Sequence, residues 1–571
     1  MLERLPVDDV LPHLTDALHS ADCAVLKADV GAGKTTRVPP ALLAGLDAGG
    51  RSSGTVIVLE PRRIAARSAA RRMAQERDES VGETVGYQVR FDHCFSPRTR
   101  ILVVTEGILL RRLLDDPFLE GISAVVFDEF HERRLDSDVA LAMTRRVQQS
   151  VRPDLRIVVM SATIAAQPIA EWLGNCSVIE SEGRRFPVRI EYQSTGPRDP
   201  ISRIAMQGVR SVIDRTDGDV LVFLPGVGEI LRTQSELRQL LNSSEWDVLT
   251  LFGDMPPEEQ DRVLQPGPRR RIILSTNVAE TSLTIQGITA VVDTGFVRQM
   301  QFDTSVGLDR LELTRISKAS ADQRAGRAGR TQPGLCVRMW PEASHRVRSE
   351  YESAEIHRVD LSGTVLRLLA WGETEISSFP WFESPESSAV EHSLQLLELL
   401  QATNQGMITE TGRRLSLLPV APRLGRMLLE TAGAGCLKRG ALAAALLSER
   451  DPFLKWGSSG SGHRLTPSDR RPPDVHTWSR GDSDSDLLDR IRVLERHATS
   501  TEAAVQPMPG QVNEAAARNI HRVARQLMSL VPSDQTRNAH PTPGDTADTA
   551  FLQSLVAAFP DRVAKRREAG S

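Results

Sequence analysis

Ala24-Val25-Leu26-Lys27-Ala28-Asp29-Val30-Gly31-Ala32-Gly33-Lys34-Thr35-Thr36 decides the fold. An apolar run of strand length passes into a glycine-bearing turn, then into a lysine followed by two hydroxyls. The backbone N–H groups of such a turn, with the N-terminus of the helix that follows, make a cradle for phosphate anions. Lys34 is expected to meet the outer phosphates of a nucleotide and Thr35 a magnesium ion, with Ala28, Gly31, Ala32, Gly33 and Thr36 completing the turn. The strict pattern opens on glycine where this chain has Ala28, which leaves an ordinary glycine-rich turn as the alternative.

Outward from this turn, short apolar runs alternate with helical stretches as far as residue 190. Ala24–Ala28, Thr55–Glu60, Arg100–Thr105, Ala124–Phe127 and Arg156–Ser161 read as strands of a parallel sheet. A second series begins near Pro187, with Asp219–Leu224, Asp247–Leu251, Arg271–Ser275 and Ala290–Val292. The expectation is two doubly wound α/β lobes in tandem with a cleft between them. Phe296–Phe302 and Leu308–Thr314 alternate on either side of a polar turn and read as a β-hairpin, either projecting or extending a sheet. Beyond 345 helices take over, with a small hairpin over Ile408–Leu415 and an amphipathic helix over Asn513–Leu530. Gly457–Asp484 reads as a loop and Ser533–Thr549 as a linker, followed by a short helix and Lys565-Arg566-Arg567. The units are then 1–190, 191–345, 346–420, 421–531 and a linker with tail, 532–571.

A chain of 571 residues is too long for one core. Its net charge of −4 excludes a uniformly basic coat, so a polyanionic partner must sit in a local groove. Sixty-four of the 70 basic residues are arginine, which suits bidentate phosphate contacts, although a coding bias accounts for most of them equally well. Cys23, Cys94, Cys176, Cys336 and Cys436 are odd in number and form no CxxC pair, which argues for a reducing cytoplasm. No signal pattern and no run of membrane-spanning length is present.

Two further clusters carry chemistry. Asp128-Glu129 ends an apolar strand, placing Asp128 to hold Mg2+, with Glu129 beside it to polarise a water. His131 is either a surface-loop histidine or a link from these carboxylates to a facing lobe. Far along the chain, Gln323-Arg324-Ala325-Gly326-Arg327-Ala328-Gly329-Arg330 sets Arg327 and Arg330 three apart on one helix face. They form either a solvated basic helix start or a pair of arginines supplied to a γ-phosphate, with Gln323 placing the water.

Taken in order, these runs resemble motifs I, II and VI of superfamily 2 helicases of the DEAH-box branch. Glu60-Pro61-Arg62-Arg63-Ile64-Ala65-Ala66, Thr105-Glu106-Gly107, Ser161-Ala162-Thr163, Phe223-Leu224-Pro225-Gly226 and Ser275–Thr284 resemble the other motifs. Asp-Glu-Phe-His-Glu-Arg at 128–133, with Leu446–Pro452, is similar to the bacterial HrpB-type ATP-dependent helicases. The resemblance implies two RecA-like P-loop lobes followed by winged-helix and ratchet-like helical domains, acting as a monomer. It implies ATP, with other nucleoside triphosphates accepted, and Mg2+. Single-stranded RNA or DNA is the implied partner, held without sequence preference by Arg62, Arg63, Thr105, Gly226 and Thr276 and traversed 3′ to 5′. The hairpin resembles the family's duplex-splitting element. By motif alignment the base falls between Arg72 and Leu264, although Leu264 reads equally as core, and no adenine-reading glutamine motif precedes the P-loop.

Relatives usually continue past a segment like Ala558–Val563, so a chain shortened at its C-terminus is expected here, with unwinding weakened. A competing reading is a nucleotide-switched clamp on RNA with slow, unstimulated turnover.

Overall fold

The computed structural model describes residues 4–29, 31–48, 54–90, 92–162, 166–183, 186–196, 198–241, 244–253, 255–280, 285–303, 307–330, 332–449, 451–453, 485–499, 512–531 and 544–563. Thr163, Thr281–Thr284, the hairpin tip 304–306, the loop Gly457–Asp484 and residues 533–543 of the expected linker lie outside them. Contacts divide the chain into one unit of residues 1–360 with 378–386, and a second of 361–377 with 387–571.

In the first unit, β1 (Cys23–Ala28), β2 (Thr55–Leu59), β3 (Val85–Val89), β4 (Asp92–Cys94), β5 (Ile101–Val104), β6 (Ile122–Phe127), β7 (Arg156–Ser161) and β8 (Ser177–Ser181) form one sheet. Its order is β4-β3-β5-β2-β6-β7-β1-β8, parallel throughout except for the β3–β4 pair. Helices α1 (Leu11–Ala21), α2 (Lys34–Ala48), α3 (Arg63–Glu76), α4 (Glu106–Asp115), α5 (Leu135–Ser150) and α6 (Ala166–Trp172) accompany it. Continuous apolar strands such as Val56-Ile57-Val58-Leu59 are buried throughout, as a sheet covered on both faces requires.

The second sheet holds β9 (Val188–Tyr192), β10 (Asp219–Phe223), β11 (Trp246–Leu251), β12 (Arg270–Ser275) and β13 (Ile288–Asp293), then β16 (Gly334–Arg338) after a hairpin of β14 (Phe296–Asp303) and β15 (Leu308–Arg315). It runs β11-β12-β10-β13-β16-β9, all parallel. Its helices include α7 (Ile201–Val212), α8 (Val227–Leu240), α9 (Pro257–Leu264) and α10 (Lys318–Gly326). Residue 190 lies inside β9, which pairs with β16, so the expected boundary at 190/191 cuts a strand of the second lobe. The expected break at 345 is also too early, because the first unit runs on to Asp360. The hairpin is a two-stranded sheet of its own, not an extension of either lobe's sheet.

In the second unit, helices Pro422–Gly433, Leu437–Ser448 and Glu514–Leu530 follow one another through packed contacts. The hairpin expected over Ile408–Leu415 is displaced: Thr403–Asn404 pairs with Met407–Ile408, and Glu410–Ser416 is helical. Thr409 decides this, because its hydroxyl caps that helix by accepting from Gly412 N–H at 3.0 Å. The short helix expected near the end of the chain is present and starts earlier, inside the expected linker. Gly544–Ala558, which includes part of the expected linker, is a helix packed on Pro422–Gly433. Buried Arg423 grips Asp561 through two bonds of 2.6 and 2.9 Å. Among the described residues, no helix is long and apolar enough to cross a membrane.

Candidate functional site

The candidate residues gather at the carboxyl ends of strands in the first unit, where open parallel sheets place their ligands. Gly31 and Gly33 both adopt φ +91°, a left-handed conformation that favours glycine. A side chain on Gly33 would also run into Leu5, whose Cδ1 lies 2.5 Å from where a Cβ would stand. Space is open at Gly31. Ala32 N–H donates to Asp29 O at 3.1 Å, and α2 starts at Lys34, so its first-turn N–H groups point out of the helix start beside the turn. Ala28 closes β1 and, with Ala32, is buried; Thr36 N–H donates to Gly33 O at 3.2 Å.

Lys34 Nζ is 3.1 Å from Glu129 Oε1 and 3.9 Å from Asp128 Oδ1, with all three residues buried. Thr35 Oγ1 donates to Asp128 Oδ2, and Asp128 Oδ1 accepts Glu129 N–H at 2.7 Å. Burial works against the Lys34 ammonium, but Glu129 and Asp128 outweigh it and raise its pKa. Burial likewise pushes the Glu129 carboxyl up, and Lys34 above all, with Arg327, pulls it well below the usual carboxylate range. Asp128 goes the other way, raised by burial and by the charge of Glu129. Glu129 itself sits at φ +50°, a non-glycine left-handed conformation costing roughly 1–2 kcal/mol that the surroundings must enforce.

His131 is no surface histidine. Its ring is buried, its Nδ1 accepts Ala162 N–H at 3.3 Å, and its Nε2 faces Glu129 Oε2 at 3.4 Å. Burial lowers its pKa, and an accepting Nδ1 assigns the neutral ring's proton to Nε2, on the Glu129 side.

The second lobe brings its arginines to the same place. Arg327–Gly329 is a 3-10 turn following α10, not a continuation of the α-helix, and a 3-10 turn still aligns residues three apart. Burial and the charge of Arg330 hold Arg327 well below its ordinary pKa, and burial brings Arg330 down to about 10, with Glu129 opposing both shifts. Arg327 Nε donates to Glu280 O at 2.8 Å. The Glu280 carboxylate takes Ser320 Oγ at 2.7 Å and Arg324 Nε at 2.8 Å, and Arg324 Nη1 reaches Asp293 at 3.0 Å.

A cavity of about 680 Å³ adjoins this cluster, bordered by Arg62, Arg63, His131, Glu280, Arg298 and Gln323. Arg62 spans the lobes, with Nη1 donating to Val278 O at 3.3 Å and Nη2 2.9 Å from Glu132. Thr276 lies two residues from that carbonyl, its hydroxyl facing Val278 N–H at 3.5 Å. A Cβ on Gly226, the residue before α8, would stand 2.8 Å from Arg298 Nε. Thr105 precedes α4 in the first lobe, outside the cavity lining.

Arg72 and Leu264, the expected base contacts, each have neighbours within their own lobe. Arg72 Nε donates to Glu76 of its own helix at 2.7 Å, and Leu264 packs on the second lobe's apolar core. Their helices, α3 and α9, are joined instead through Arg67–Gln260 at 3.2 Å and the Arg71–Asp261 pair.

The donor set fits a small hard cation. Glu60, Asp128 and Glu129 crowd one ammonium, and buried Glu60 Oε1, Glu60 Oε2 and Glu129 Oε2 find no hydrogen-bond partner. No group of three His, Cys, Asp or Glu residues among the described ones could by itself hold a metal. Mg2+ takes one or two protein oxygens and completes its shell with phosphate and water, so Thr35 and Asp128 would be its protein ligands. Glu60 itself went unread in the sequence, although Glu60-Pro61-Arg62-Arg63 flagged its neighbours.

Comparison with known proteins agrees with this geometry. Residues 10–172 match the DEAD/DEAH box helicase family, 205–332 the helicase conserved C-terminal domain and 421–488 the ratchet-like helicase associated domain HA2. The chain is 39% identical over 454 residues to ATP-dependent RNA helicase HrpB of Escherichia coli K12, covering 78% of this chain and 55% of that protein. With ATP-dependent RNA helicase HrpA of the same organism it shares 35% over 461 residues, 79% of this chain and 35% of that one. The crystal structure of Escherichia coli DEAH/RHA helicase HrpB aligns with a TM-score of 0.78 at 33% identity, over 99% of this chain and 64% of that chain. This chain thus spans about half the length of its HrpB relative. With the motor motifs in order on two RecA-like lobes, the chain belongs to the DEAH-box helicases of the HrpB type.

Proposed function

We propose that this chain hydrolyses nucleoside triphosphates between its two lobes and uses the cycle to move 3′ to 5′ along single-stranded nucleic acid, RNA first. One observation carries the reading: Lys34, Asp128, Glu129 and His131 of one lobe share a buried cluster with Arg327 and Arg330 of the other. The relatives' description as ATP-dependent RNA helicases supports ATP and RNA as substrate and track.

In this reading the P-loop N–H groups and Lys34 hold the outer phosphates, which free Glu129 from its ion pair with Lys34. Thr35 and Asp128 hold Mg2+, which screens phosphate charge when bound. Glu129, kept ionised by its cationic neighbours, accepts a proton from the attacking water, and Gln323 orients that water. Arg327 and Arg330, both buried, stabilise the negative charge that develops on the transferred phosphate. His131 ties Glu129 to Ala162 N–H and so to the segment after β7. Arg62, Arg63, Thr105, Gly226 and Thr276 serve the polymer backbone.

We assign residues to Asp360 to the motor, those up to about 420 to a winged-helix-like unit and 421–531 to the ratchet-like domain, which the match over 421–488 supports. Action in the cytoplasm fits five cysteines that are all free thiols, and we take the chain to act as a monomer.

The test is the hydrolysis rate with no polymer, with single-stranded RNA and with single-stranded DNA, using Glu129→Gln as control. A motor is stimulated at least severalfold by a single strand, and Glu129→Gln abolishes that while keeping nucleotide binding. Slow turnover indifferent to polymer would favour the clamp.

A further inference from the structure

Phe130 occupies the middle of the loop that carries Glu129 and His131, where the DEAH motif has alanine, and the proposed chemistry makes no use of its ring. The ring is buried, yet only part of its surroundings comes from its own lobe. On one side lies Phe127, edge to face at 6.5 Å; on the other lies Phe382, at 5.7 Å and 64°. Phe382 comes from far along the chain, in the segment Ser378–Glu386, which belongs with the motor although the residues flanking it on both sides belong to the second unit.

That segment is fastened at several points. Trp172, at the end of α6, meets the Phe382 ring edge to face at 5.9 Å and donates its indole N–H to Trp381 O at 3.1 Å. Arg133 lies 4.6 Å over the same ring and bridges Asp138 at 2.9 Å to Glu383 at 2.7 Å. His357 Nε2 meets the other Glu383 oxygen at 2.6 Å. Glu355 N–H donates to Arg133 O, and the Glu355 carboxylate accepts Leu135 N–H, both at 3.0 Å. The loop thus held has two non-glycine residues in the left-handed region, Glu129 at φ +50° and Arg133 at +47°. Such conformations persist only where the surroundings over-determine them.

We propose that Ser378–Glu386 is a strap, and that Phe382 is a positioning residue which, through Phe130, holds Glu129 and His131 in their working geometry. Phe130 and Phe382 form one device. With alanine at 130 the ring of Phe382 keeps Trp172 and Arg133 but loses its contact with the residue between Glu129 and His131, so that path runs through the pair. The proposal rests on the hydrolytic reading of this site, and its test therefore includes a readout that does not depend on turnover.

In the full chain, Phe382→Ala should lower kcat about 5- to 30-fold, the loss of two edge contacts, while KM for the nucleotide stays within about twofold. Phe382→Tyr, which keeps the ring, should restore kcat to within about twofold of wild type. In a Phe130→Ala background, Phe382→Ala should cost at least about twofold less than in wild type, because the Phe130 contact is already gone. Hydrogen exchange supplies the independent measure: amides of Phe130–Arg134 should exchange at least about tenfold faster in Phe382→Ala, with Leu26–Ala28 unchanged. Should the alanine variant fail to fold, Phe382→Leu keeps the apolar bulk and should show the same exchange at Phe130–Arg134. Unchanged exchange overturns the strap. So does an unchanged kcat, or an equal loss in both backgrounds, in a chain that turns over. A wild type without Glu129-dependent turnover overturns the hydrolytic reading alone, and the exchange result then decides the strap by itself.

Discussion

Replacing Arg327 by alanine separates a role in turnover from a role in the fold. In the structure its side chain is 4% exposed and donates to Glu280 O, beside a like charge on Arg330. Losing that bond costs about 0.5–1.5 kcal/mol. Against it stands relief from keeping two guanidinium groups buried together, each lowered in pKa by burial. The two nearly offset, so stability should change by no more than about 1 kcal/mol, or roughly 2–4 °C in Tm. Turnover is another matter, because an arginine facing the charge that develops on a transferred phosphoryl group is worth about 10³–10⁵ in rate, or ~4–7 kcal/mol. Arg327→Ala should therefore cut kcat at least about 100-fold with nucleotide affinity within about threefold, since the contact strengthens towards the transition state. Steady-state hydrolysis, equilibrium binding of a fluorescent nucleotide and a thermal melt measure the three quantities. If affinity falls in proportion to kcat, Arg327 serves ground-state binding. If the melt drops by 8 °C or more while kcat holds, it is a structural residue and the reasoning is wrong.

Glu106 is buried and raised to about 7 by burial, with Arg134 3.6 Å away and Ser137 donating to it at 2.7 Å, each offsetting part of that shift. The folded chain then keeps this proton to higher pH than the unfolded chain, so stability falls as pH rises from about 4.5 to about 7. Glu106→Gln should be more stable than wild type by about 1–3 kcal/mol at pH 8, a difference that vanishes in denaturant titrations at pH 5. Arg271 is buried and tied to Asp219 at 2.6 Å as well as to Val263 O and Gln286 O, so Asp219→Ala strands a buried charge. It should cost about 3–5 kcal/mol, and a loss under 1 kcal/mol in urea unfolding would contradict that. With Arg72 paired to Glu76 and Leu264 partly buried against an apolar cluster, no described side chain is seen to read a base edge. GTP, CTP and UTP should support hydrolysis within about tenfold of ATP, and a thousandfold ATP preference in kcat/KM would reveal a missed contact.

What could be read from the sequence was whatever lies in short, contiguous runs. The apolar strands Thr55–Leu59 and Arg156–Ser161, the P-loop with its lysine and threonine, and the Asp128-Glu129 pair at a strand end are local patterns, and the structure has them in place. Strands with mixed or short apolar content escaped: Val85–Val89, which carries a glycine, and the edge strand Ser177–Ser181. Thr409 looked like strand and acts as a helix cap.

Tertiary structure alone decided which partners face one another across long stretches of chain. The neutral, Glu129-facing His131, the third carboxylate at Glu60, the grip of Arg324 on Glu280 and Asp293, and the meeting of Phe130 with Phe382 all depend on contacts between residues far apart in sequence. Backbone patterning is governed by neighbours three or four residues away, and so leaves its mark on the sequence. Burial, pKa and side-chain partnership are set by which surfaces the folded lobes bring together, and no local run of residues carries that information.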